Sequence, residues 1–121
     1  MRIHVRAVNL ALHPRARAEV EHRLQDALGR LEPRLQRVSV RLVDQNGPRG
    51  GEDISCLVEV RLRPRGVLYV EETDSDVMAA VGRSAEAART AITRLRERAR
   101  DLRRRRPRGA VLGMADGTSP A

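Results

Sequence analysis

The chain has 121 residues, 40 % of them hydrophobic, and a formal net charge of +8; because domains typically run to about 100–200 residues, one core fits and a second does not. The apolar set is mostly Val, Leu, Ile and Ala, with a single tyrosine, Tyr69, and no Phe or Trp, which excludes base-stacking platforms of the RRM or OB type. No apolar run approaches the roughly 18 residues of a membrane span and no cleavable signal pattern opens the chain, so a cytoplasmic protein is expected.

Residues 2 to 8 alternate, with Ile3, Val5 and Ala7 on one side and Arg2, His4 and Arg6 on the other, the period of a half-buried strand. Pro14 suits a first helical turn, and Val20, Leu24, Ala27, Leu28 and Leu31 recur at helical spacing until Pro33. This predicts a helix over residues 14 to 31. Val38, Val40 and Leu42 alternate with Ser39 and Arg41 as a second strand, and the turn-rich residues 46 to 51 read as a hairpin connection. In the third strand Ile54, Cys56, Val58, Val60 and Leu62 face the core while Ser55, Glu59, Arg61 and Arg63 face away. Pro64-Arg65-Gly66 turns the chain into a fourth strand from Val67 to Thr73, after which Asp74, Ser75 or Asp76 can cap a long helix.

That helix carries Val77, Val81, Ala85, Ala88, Ile92, Leu95, Ala99 and Leu102 at steps of three or four, which predicts a single buried stripe about seven turns long that ends near Pro107. The expected layout is one folded domain over residues 1–106 and a flexible tail over 107–121. The order β-α-β-β-β-α gives an α+β fold. Two helices with apolar stripes are both buried only if they lie on one face of a four-stranded sheet, an architecture like that of a double-stranded RNA-binding domain. The other sheet face stays open and carries His4, Arg6, Ser39, Arg41, Glu59 and Arg61.

All 24 basic residues are arginine. A G+C-rich genome favours Arg over Lys irrespective of function, but it does not explain where the charge sits. From Arg83 to Arg108 the chain holds eleven arginines against Glu86, Glu97 and Asp101. A polyanion is the natural partner of such a segment. Helical geometry puts Arg83, Arg94 and Arg98 on one flank of the stripe and Arg89, Arg96 and Arg100 on the other, and Arg103 and Arg104 extend these two rails. A merely solvated helix would more often interleave Glu and Arg at i,i+4.

Catalytic patterns are lacking. His4, His13 and His22 are scattered, no HExxH or CxxC spacing occurs, and residues 46 to 51 form neither a Walker loop nor a dinucleotide fingerprint. Glu71 and Glu72 are adjacent in a strand and therefore face opposite sides. Cys56, alone in an apolar strand, reads as a buried structural thiol. A non-enzymatic protein with no cofactor and no metal site is expected.

Asp74 to Val81, reading Asp-Ser-Asp-Val-Met-Ala-Ala-Val after Val70 to Thr73, resembles the Asp-Met-Tyr-Ala-Ala-Ile-Asp helix start of the ribosome hibernation promoting factor and protein Y family. The stretch Val40 to Gly51 is similar to the second strand and loop of its short members, and the likeness runs over residues 1 to 106. The resemblance implies a translation inhibitor that binds the 16S rRNA of the small ribosomal subunit near the decoding centre and blocks the tRNA and mRNA sites. It also implies RNA contacts from the last helix, with Arg83, Arg94, Arg96 and Arg98 on matching positions. The chain departs from the family at Met78, Gly82, Ala87 and Thr90, where members often have Tyr, Asp and two basic residues, and Arg89 and Arg100 can supply the missing charge. No DNA, membrane or small-molecule partner is expected. Two other readings are a double-stranded RNA binder with a different target, and an interaction module that modulates a transcription factor through the open sheet face.

Overall fold

The computed structural model describes residues 1–45 and 53–105, the last three by backbone alone. The expected hairpin loop over residues 46 to 51 and the expected tail over 107–121 lie outside the described residues. Strands β1 (Arg2–Val8), β2 (Leu35–Asp44), β3 (Ile54–Leu62) and β4 (Val67–Asp74) form one sheet in the order β1-β2-β3-β4. Helix α1 (Pro14–Leu28) is the crossover that lets β1 pair parallel with β2, and the two later pairings are antiparallel. Helix α2 spans Val77–Arg105.

Both helices cover one sheet face. Val20, Leu24 and Leu28 of α1 and Ala80, Val81, Ala85, Ala88 and Ile92 of α2 are buried with Val38, Val40 and Leu42 of β2 and Ile54, Cys56, Val58 and Val60 of β3. Without aromatic residues to fill space, the layers close up through small side chains on α2. At Gly82 an added Cβ would lie 3.1 Å from Nη1 of Arg23, so the Arg23 guanidinium of α1 rests close over this position and would have to shift slightly to admit a side chain. The buried Ser84 hydroxyl donates to its own helix at the Ala80 carbonyl (2.8 Å) and reaches the Cys56 carbonyl of β3 (3.2 Å), so its polar group is satisfied inside the core.

Two sequence expectations need correction, and a third, the outward direction of Ser55, holds with an addition. The first helix ends at Leu28, and residues Gly29–Arg34 form a tighter 3-10 segment that accommodates Pro33 and still buries Leu31. Ser55 points to the open face, as its register requires, but it is buried there because Glu71 of β4 covers it and accepts its hydroxyl at 2.6 Å. The largest difference is in α2. Its stripe is buried only as far as Ile92, beyond which Leu95 is 38 % and Leu102 47 % exposed and Ala99 is also exposed. The reason is length: the 29 residues of α2 span about 44 Å at ~1.5 Å each, while the nine residues of β3 span about 30 Å. The C-terminal turns of α2 therefore run past the core they started on.

Local chemistry sets the start of that helix. The Asp76 carboxylate accepts from the Ala79 N–H at 3.0 Å, so of the three candidate caps it is Asp76 that serves. Gly66 has φ +113°, a conformation costly for any L side chain, and its carbonyl accepts from the Leu62 N–H at 2.8 Å to close the turn between β3 and β4. His13 caps α1, its Nδ1 accepting from the Arg15 N–H at 3.0 Å, which gives that histidine a structural role.

Candidate nucleic-acid interface

The two flanks of α2 lie in different surroundings. Arg83 is on the side of β4, where its guanidinium donates to Glu72 at 3.1 Å and to the Thr73 carbonyl at 3.4 Å and lies 3.5 Å from Asp74. It ties α2 to β4 as well as presenting charge. Asp74 is the hinge of this cluster. The Asp76 N–H on its carboxylate, with Ser75 and Arg83 adding to it, holds Asp74 below the usual carboxylate range. The opposite flank borders α1, as the approach of Arg23 to Gly82 requires. On that side Arg89 pairs with Glu86 at 3.0 Å within the helix, and both are exposed.

Beyond these, Arg94, Arg98 and Arg100 are exposed and engage no carboxylate among the described residues. Arg96 differs from the expected surface residue: it is half-buried, and its Nε is buried without a hydrogen-bond partner. Arg103 and Arg104 continue α2 by backbone, their side chains lying outside the description. The predicted rails thus resolve into a tethered arginine at the start, a pair within the helix, and unpaired arginines on the segment that leaves the core. Charge on that segment is presented to solvent by Arg94, Arg98 and Arg100, while Arg96 stays partly covered.

Other arginines are structural. The Arg17 guanidinium donates to the Val5 carbonyl and Nε of Arg63 donates to the Leu35 carbonyl at 3.1 Å, each pinning a strand of the sheet. The open sheet face holds more charge than expected from the sequence, because the register sets Arg2 beside Arg37 and Arg6 beside Arg41. Arg2 and Arg37 were missed as members of this face. The signal was present in the alternation of β1 and in Arg37 lying one step before Val38.

Catalytic chemistry finds no footing among the described residues. Cys56 is fully buried and burial pushes its thiol up, away from the thiolate a nucleophile needs. No group of three His, Cys, Asp or Glu among the described residues could hold a metal ion, and none of the described helices is long and apolar enough to cross a membrane.

The fold has solved counterparts. The N-terminal domain of Thermus thermophilus Protein Y is 25 % identical, with a TM-score of 0.64 over 78 % of this chain and 98 % of that one. A ribosomal subunit interface protein from Coxiella burnetii is 12 % identical and shares the fold, with a TM-score of 0.67 over 80 % of this chain and 99 % of that one. No curated protein matches the sequence. The model of the family described as Sigma 54 modulation protein / S30EA ribosomal protein matches residues 3–100, which takes in every strand and nearly all of α2, and the chain therefore belongs to that family of ribosome-associated factors.

Proposed function

We propose that this protein is a translation inhibitor of idle ribosomes that binds 16S rRNA of the small subunit near the decoding centre and obstructs the tRNA and mRNA sites, acting in the cytoplasm without enzymatic activity. The observation that carries this reading is the segment of α2 beyond Ile92, where Arg94, Arg98 and Arg100 are exposed and unpaired on a helix that extends past its own core. Guanidinium groups held on a rigid rod bind phosphate oxygens in pairs, releasing counterions without first breaking internal ion pairs. Residues 1–106 are the ribosome-binding unit in this reading. Arg83, Arg89 and Arg96 assist at the root of the rod, and Arg103 and Arg104 add charge at its end.

Sedimentation of stationary-phase lysates through a sucrose gradient tests it. The protein is expected in the 30S and 70S fractions, displaced by mRNA and tRNA. Its confinement to the top of the gradient would overturn the ribosomal assignment, and displacement from ribosomes by an unrelated RNA duplex at equal affinity would make it a general duplex binder instead.

A further inference from the structure

The sheet face opposite the helices carries a second concentration of arginine that α2 does not explain. Strand register sets three rows across it: Arg2 beside Arg37 beside Arg61, then His4 beside Ser39 beside Glu59, then Arg6 beside Arg41. An open depression of about 320 Å3 lies among them, lined by His4, Arg6, Arg37, Ser39, Arg41 and Glu59 together with the apolar Leu57 and Val40. Residues two apart on a strand are about 6.6 Å apart, and neighbouring strands about 4.8 Å, so the two arginine rows stand roughly 13 Å from each other on either side of the His4 and Ser39 row.

Like charges set directly opposite on neighbouring strands are unfavourable, yet Arg37 faces Arg61 and Arg6 flanks Arg41. Among the described residues only Arg61 is compensated, by Glu59 at 3.4 Å; Arg2, Arg6, Arg37 and Arg41 have no carboxylate partner. An anion seated between the rows would relieve this repulsion. The charge of the depression favours an anion: three guanidinium groups face one carboxylate, which Arg61 already engages.

We propose that this depression is a second phosphate-binding site, where Arg6, Arg37 and Arg41 grip an RNA backbone and His4 and Ser39 contribute hydrogen bonds, so that RNA holds the protein on both sides. The proposal rests on RNA being the partner but not on which RNA. Two opposed contact surfaces suit a protein that fills a cleft between RNA elements, whereas one helix alone suits a protein laid on a single duplex.

The test measures affinity against salt for the full chain and for R6Q/R37Q/R41Q, using purified 30S subunits and, separately, a short RNA duplex. Each arginine that holds one phosphate accounts for about 0.7–0.9 units of the log–log slope, so the triple variant is expected to lose roughly two to three units. The loss should add to that of an α2 variant, since the surfaces are separate. The variant R6K/R37K/R41K should keep most of the slope, whereas R6Q/R37Q/R41Q, which removes the like-charge rows, should hold or raise the melting temperature. Fluorotyrosine labelling gives an independent readout because Tyr69 is the sole tyrosine, is 60 % exposed and aligns with Glu59 on this face; its single 19F resonance should shift on adding RNA. An unchanged slope, or affinity lost at constant slope as for a protein partner, overturns the proposal. If the triple variant fails to fold, R41Q alone decides, with an expected loss of about 0.7–0.9 units. If 30S subunits bind the wild type with a slope indifferent to these changes, the sheet site falls and the ribosomal reading stands. If 30S subunits do not bind but the duplex shows the slope loss, the reverse holds.

Discussion

Replacing Arg94, Arg98 and Arg100 with glutamine removes the arginines of the α2 overhang that are exposed and unpaired among the described residues and leaves Arg83 and Arg89 in their internal pairs. Each unpaired arginine that holds one phosphate contributes about 0.7–0.9 units to the salt slope, so the triple change should flatten it by roughly 2.1–2.7 units. Between 50 and 200 mM salt, a fourfold range, that corresponds to about 1.3–1.6 decades of affinity which the wild type loses and the variant does not. Stability should change little, because exposed substitutions usually stay within about 0.5 kcal/mol each. The matching control is R15Q/R30Q/R34Q, on α1 and the 3-10 segment, where the side chains are exposed. Arg17 is unsuitable as a control because its guanidinium holds the Val5 carbonyl. Filter binding to 30S subunits over a salt series, with a thermal melt of each variant, reads the comparison. Equal slopes for the two triple variants, both folded, would refute the view that the overhang is the RNA surface.

Ile92 is 1 % exposed and Leu102 47 %, so chemical denaturation should show I92A costing about 2–5 kcal/mol and L102A less than about 1 kcal/mol. R83Q should lower the melting temperature slightly, since its exposed pairs with Glu72 and Asp74 are worth up to about 1 kcal/mol, and it should change the salt slope by less than one unit because any phosphate must compete with those carboxylates. The Asp74 carboxyl is held below its ordinary value, so it contributes stability above the unfolded carboxylate pKa of about 3.9 that is lost as pH falls through the lower folded value. An acid titration followed by circular dichroism should show D74N less stable at neutral pH and less sensitive to pH below that range.

Much of this fold was legible because its signals are periodic. The alternation in β1 and β3 and the three-and-four stepping in α1 and α2 each report one buried face, and one sheet face with two helices is the arrangement that buries them all. What periodicity does not carry is where a face stops being covered. The stripe on α2 continues through Leu95, Ala99 and Leu102 with its spacing intact, although these side chains are no longer buried in the core. Charge sign was equally legible and charge pairing was not: Arg83 and Arg94 sit on one flank of the same helix, but only Arg83 comes within reach of Glu72 and Asp74, because β4 ends beside the first turns of α2. The same holds for Arg17 and Arg63, whose carbonyl partners lie 12 and 28 residues away in sequence.

One dimension that was missed could have been worked out from the sequence. Strands of seven to ten residues make a sheet no longer than about 33 Å, and a 29-residue helix is about 44 Å long; a single layer of such strands has no surface left for the last two or three turns. A helix longer than its sheet must either find a second partner or carry side chains that tolerate water at its end. Here the overhang carries Arg94, Arg98 and Arg100 around a thin apolar line, which keeps it wet and cationic in the free protein. The length mismatch and the arginine concentration are therefore one feature: the helix outruns the core, and its charge is densest on the part that does.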